Sequence, residues 1–144
     1  MASFSTTVES PWPVERAFAY LADFTHTADW DPGVVASVRL DEGEVGLGSR
    51  FEVTTSTAGR QQQLTYEITE FDPPRRFVLV GENTALRSVD TLTFDERDGG
   101  STVTYHADLA LRGPSRVADP ALHVAFQVIG RQAAAGLRTA LEAE

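Results

Sequence analysis

Between residues 34 and 111 the chain reads as six strand-like runs in succession, with no helical stretch between any two of them. The runs are Val34–Asp41, Ser49–Thr57, Gln62–Phe71, Arg76–Glu82, Leu86–Asp95 and Thr102–Leu111. Threonine and β-branched residues are dense throughout, as strands favour. Turn chemistry separates the runs: Glu42-Gly43-Glu44, Ala58-Gly59, Asp72-Pro73-Pro74 and Arg97-Asp98-Gly99-Gly100. A parallel connection needs roughly a dozen residues or more, so strands joined by turns this short must run antiparallel.

The flanks complete the class. Phe4, Thr6 and Val8 alternate with polar residues, which predicts one more strand, stopped by Ser10-Pro11-Trp12-Pro13. Val14, Ala17, Phe18 and Leu21 then recur at helical spacing, giving a short helix over 13–22. A second short helix or turn covers Phe24–Trp30 and ends at Pro32-Gly33. The pattern changes at Gly113, and Asp119 before Pro120 is a helix start. Leu122, Phe126, Ile129, Ala133, Leu137 and Leu141 form one apolar stripe, with His123, Gln127, Arg131 and Arg138 opposite. That helix has about 23 residues and a length of about 34 Å. The expectation is an α+β fold: a curved seven-stranded antiparallel sheet around a long C-terminal helix, with two short helices between strands 1 and 2.

At 144 residues the chain is expected to form one domain, residues 1–144. It has no cysteine, which removes disulfides, thiolate metal sites and a cysteine nucleophile. All twelve basic residues are arginine, so lysine Schiff-base chemistry is excluded. The net charge of −9 argues against nucleic acid and anionic lipid surfaces as partners. The first ten residues show no secretory pattern, and no apolar run is long enough to span a bilayer. A cytoplasmic location without integral membrane association follows as an expectation.

Strand parity predicts which side chains face inward. In the last hairpin, Phe94 pairs with Val103, Leu92 with Tyr105, Asp90 with Ala107 and Ser88 with Leu109, and this set faces the helix. The same parity turns Phe51, Val53, Thr55, Leu64, Tyr66, Ile68, Phe77, Leu79 and Gly81 inward. From the long helix come Phe126, Ile129, Gly130 and Ala133; the two small residues either leave volume unfilled or let helix and sheet pack closely. Trp30 is placed between the short helices and the pocket entrance. Asp90 stands out, because a carboxylate on an apolar face must be paired, hydrogen-bonded or protonated. It is a candidate polar anchor or general acid/base, with Tyr66 and Tyr105 as further polar handles or plain core tyrosines.

Other motifs are weak. His26, Asp29 and Asp31 form too loose a group for a metal, and no metal or cofactor is expected. Gly46-Leu47-Gly48-Ser49 lacks a third glycine and precedes a strand, so it is a turn. His106 lies on the outward strand face, which leaves Ser88 and Asp90 without a triad partner.

Several segments in order resemble the START-related helix-grip (SRPBCC) superfamily, and within it the bacterial polyketide cyclase/dehydrase and lipid-transport group. They are Val8-Glu9-Ser10-Pro11 leading into Val14-Glu15-Arg16-Ala17-Phe18, then Ala28-Asp29-Trp30-Asp31-Pro32 and Val45-Gly46-Leu47-Gly48-Ser49. Ile68-Thr69-Glu70-Phe71-Asp72-Pro73-Pro74-Arg75-Arg76, Gly99-Gly100-Ser101-Thr102-Val103 and the final Leu141-Glu142 complete the set. The resemblance implies a small apolar ligand, lipid- or polyketide-like, between sheet and helix. Its alternatives are a cyclase, aromatase or dehydratase using polar pocket residues, and a protein-interaction module; a homodimer stays open.

Overall fold

The computed structural model describes residues 2–57, 59–112 and 120–142, with side chains throughout except at 57 and 120–125. In chain order the elements are β1 (Ala2–Ser10), α1 (Val14–Ala22), a 3-10 turn (Phe24–His26), α2 (Thr27–Trp30), β2 (Val34–Arg39), β3 (Arg50–Thr57) and β4 (Arg60–Asp72). Then follow β5 (Arg76–Glu82), β6 (Leu86–Arg97), β7 (Gly100–Leu111) and α3 (Pro120–Glu142). This is the expected α+β architecture, and α3 has the expected 23 residues. The expected cap Asp119, the break at Gly113, the turn residue Ala58 and the side chains of Leu122 and His123 lie outside the described residues.

The strands form one antiparallel sheet in the order β1-β7-β6-β5-β4-β3-β2. Every link but one joins neighbours in sequence; the exception, β1 beside β7, brings the two ends of the strand series together. The β6–β7 register pairs Ser88 with Leu109, Asp90 with Ala107, Leu92 with Tyr105 and Phe94 with Val103, as parity predicts. The hairpin runs two residues further than expected on each strand, to Arg97 and Gly100. Gly99 at the turn has φ 80, the left-handed backbone that a tight hairpin requires.

Packing divides the concave face into two parts. At one end α1 lays Phe18 against Phe71, Phe77 and Phe94, with ring centroids 5.2–5.3 Å apart. The 3-10 turn sets Phe24 against Phe51 and Tyr66. Val8, Val53, Ile68, Leu79, Leu92 and Val103 join this core. Toward the other end of the same strands α3 lies along β1 and meets α2, whose Trp30 stands against Tyr105 of β7. Leu137 and Leu141 are buried, while Arg131 and Arg138 are exposed. Ser10 Oγ donates to the Leu141 carbonyl at 2.6 Å, and Gln127 Nε2 donates to the Ser3 carbonyl at 2.6 Å, so α3 is tied to both ends of β1. Among the described residues no helix is long and apolar enough to cross a membrane.

Candidate functional site

Between the sheet and α3, beyond the aromatic core, lies a cavity of about 680 Å³. Its floor alternates along the strands: Phe4 and Thr6 on β1, Leu64 and Tyr66 on β4, Leu86, Ser88 and Asp90 on β6. On β7 it takes Tyr105, Ala107, Leu109 and Leu111. The α3 wall is Phe126, Ile129, Gly130, Ala133, Ala134 and Leu137. Trp30, Asp31 and Gly33 close one flank, and Arg60, Gln61 and Gln62, all exposed, form the rim at the start of β4.

The inward residues predicted from sequence therefore separate. Trp30, Tyr66, Ser88, Asp90, Tyr105, Ala107, Leu109, Phe126, Ile129, Gly130 and Ala133 reach the cavity. Phe51, Val53, Ile68, Phe77, Leu79 and Leu92 do not: they are inward but sit in the packed core beneath α1 and the 3-10 turn. Trp30 is buried in the wall, edge-on to Tyr105 at 5.8 Å, and not at the rim. Gly130 is small for packing reasons, since a Cβ there would stand 2.5 Å from the Phe4 ring.

Asp90 is only 4% exposed. Ser88 Oγ donates to its Oδ1 at 2.7 Å, and the Tyr105 hydroxyl donates to its Oδ2. Burial disfavours the charged form and pushes the Asp90 carboxyl up to about 6; the Ser88 and Tyr105 hydrogen bonds work against that rise, and the charge of Asp31 adds to it. Burial, then the charge of Asp90, holds the Tyr66 and Tyr105 hydroxyls well above the usual phenol range.

Asp31 was not predicted in this site. Its sequence neighbours suggested a loose group with His26 and Asp29, and that group does not assemble. His26 stacks on Tyr20 at 4.4 Å and its Nδ1 meets the Tyr20 carbonyl at 2.7 Å. Asp31 turns toward the cavity, where its Oδ1 accepts the Gly33 amide at 2.9 Å. Burial raises its carboxyl above the ordinary range, and the Gly33 hydrogen bond partly offsets this. The only available hint was that Asp31 follows Trp30 directly, in the Asp-Pro-Gly turn that ends α2. Among the described residues no group of three or more His, Cys, Asp or Glu side chains could hold a metal.

Solved structures share the fold at low identity. A START superfamily protein from Mycobacterium smegmatis matches with TM-score 0.80 and 12% identity over 98% of this chain and 97% of that one. A protein from Thermus thermophilus, TTHA0849, gives 0.77 and 16% over 97% and 95%. The Zhui aromatase/cyclase from Streptomyces sp. R1128 gives 0.74 and 16% over 96% and 90%. No curated protein matches the sequence. The family model described as polyketide cyclase / dehydrase and lipid transport matches residues 1–142, and this chain belongs to that family.

Proposed function

We propose that the chain binds one small, mainly apolar molecule, lipid- or polyketide-like, in the cavity between the sheet and α3. The observation that carries this reading is the cavity itself: about 680 Å³ left unfilled next to a core that is otherwise closely packed. Ligand pockets commonly run from roughly 300 to 1,000 Å³, with apolar walls and a few convergent polar groups. Here Asp90, Ser88, Tyr66 and Tyr105 are those polar groups. The test is saturable binding of the neutral fluorophore N-phenyl-1-naphthylamine. Ala133→Trp, which places an indole in the cavity, should weaken binding by about tenfold or more while leaving the unfolding midpoint nearly in place. Undiminished binding in that variant would remove the cavity from the reading.

A second reading is catalysis of the cyclase, aromatase or dehydratase type. It is favoured by one observation: Asp90 is pushed up to about 6 and hydrogen-bonded to Tyr105, so it can take or give a proton near neutral pH. In that reading Asp90 is the general acid/base, Tyr105 and Tyr66 position the substrate carbonyl, and the cavity walls orient the chain. Turnover unchanged in Asp90→Asn would dismiss it. For self-association, β2, the last strand in the sheet order, exposes Val35 and Val38, with Leu40 just beyond it, and would be the strand that a second copy extends.

A further inference from the structure

We propose that the natural ligand is an apolar amine, whose hydrophobic body lies along the cavity walls and whose protonated nitrogen is received by Asp90 and Asp31. This rests on the reading of the cavity as a ligand site and narrows the class of ligand.

The hydrogen-bond inventory of the polar end leads there. An ionised carboxylate offers about four acceptor positions. Ser88 and Tyr105 occupy two of those on Asp90, so their own hydroxyl protons are already committed. Asp31 has one position filled, by the Gly33 amide. The charge of Asp31 acts on Asp90, Tyr66 and Tyr105 alike, so the two carboxylates share one electrostatic environment. Among the described lining residues the single cationic side chain is Arg60, exposed at the rim. The inner end thus holds two carboxylates and no cation, with the Tyr66 hydroxyl as a neutral donor beside them.

Three kinds of head group would fare differently at that end. A carboxylate or phosphate would meet two like charges without an interior cation. A hydroxyl would fill one acceptor and leave the charge unbalanced. An ammonium supplies several donors and the opposite charge in a place where water is scarce, so its charge-assisted hydrogen bonds are the strong kind. Burial keeps Asp90 from ionising fully below about pH 6, so amine affinity should rise with pH across that value. The groups facing Asp90 that set this dependence are Ser88, Tyr66, Tyr105, Asp31 and, more remotely, Asp108. The described α3 wall contributes no titratable side chain.

The experiment uses three ligands with one tail: decylamine, 1-decanol and decanoate, each displacing N-phenyl-1-naphthylamine from the full chain at about pH 7.5 and 150 mM salt, where surface attraction is screened. The expected order of affinity is amine, alcohol, carboxylate, with at least a tenfold span between the outer two. In Asp31→Asn/Asp90→Asn the span should shrink to about twofold, while a cooperative urea unfolding transition and retained binding of N-phenyl-1-naphthylamine certify a folded chain with an open cavity. Decanoate binding as tightly as decylamine, or the span surviving in the double variant, overturns the proposal. Displacement by all three without ranking removes only the amine; displacement by none removes the ligand-binding reading with it.

Discussion

Replacing Asp90 by asparagine removes a charge that the fold resists, and the consequence for stability has a definite sign. In the folded chain the carboxyl is pushed up to about 6, against an ordinary value of 3.8. Below the lower value both folded and unfolded chains carry the proton, and the folded state keeps its full stability. As pH rises, the unfolded chain releases its proton first, so the unfolded state is favoured progressively. The loss levels off once pH has passed the folded value. At 1.36 kcal/mol per unit, the whole window is worth about 3 kcal/mol, of which roughly half falls between about pH 5 and pH 8. Because Asp90 is almost wholly buried, solvent screening takes little from this figure. Asn cannot ionise, so its folded state escapes that loss. It keeps one acceptor for Ser88 or Tyr105 and exchanges the other, which adds a pH-independent offset of about 1 kcal/mol against the variant. Urea unfolding of both chains at about pH 5, 6.5 and 8 measures the difference. The variant should gain on the wild type steadily across the series and be the more stable chain at the alkaline end. A difference that stays constant with pH, or that moves the other way, refutes the assignment of a buried, reluctantly charged Asp90.

Two further predictions concern how α3 is seated. A Cβ at Gly136 would lie 1.8 Å from the Trp30 carbonyl oxygen, a backbone atom that cannot turn aside, so Gly136→Ala should cost about 3 kcal/mol in thermal or urea unfolding; Gly130→Ala, which meets only the Phe4 ring, should cost less and instead weaken probe binding by driving that ring into the cavity. Ser10→Ala should destabilise the chain by about 1–3 kcal/mol, because it removes the buried hydrogen bond from the Ser10 hydroxyl to the Leu141 carbonyl, and faster amide hydrogen exchange confined to the last turns of α3 would identify the cause.

The register of the β6–β7 hairpin, though not its length, was readable to the residue because its chemistry is local. Asp98-Gly99 supplies a two-residue turn, and alternation then determines which of Ser88, Asp90, Leu92 and Phe94 share a face. Position along that face was not readable. Leu92 and Asp90 have the same parity, yet one packs in the core beneath α1 and the other meets the cavity. The difference is set by where Phe18 and Phe24 land on the sheet, a long-range contact that no strand period encodes. The same limit applies to Phe51 and Val53, both in the core, against Thr55 on the same strand, which reaches the cavity. Asp31 escaped for another reason. It lies in a short turn, where side-chain direction follows from backbone angles and not from any repeat.

This division along the strands explains how a chain of this size tolerates both a large void and a buried carboxylate. Unfilled volume beside apolar side chains forfeits dispersion contacts, and an ionised group in such a place is costly. Both burdens fall on one end of the sheet. At the other end α1 and the 3-10 turn supply an aromatic cluster in which Phe51, Phe77, Ile68 and Leu79 are completely buried. Strands β1, β3, β4, β6 and β7 each contribute side chains to both regions, so the ladder hydrogen bonds transmit the order of the packed end to the cavity end without requiring the cavity to be filled. A ligand that fills the void and neutralises Asp90 would then add stability where the fold has least. If the proposed ligand reaches Asp90, binding and folding are linked through the same carboxylate, and whatever satisfies Asp90 should also raise the free energy of unfolding.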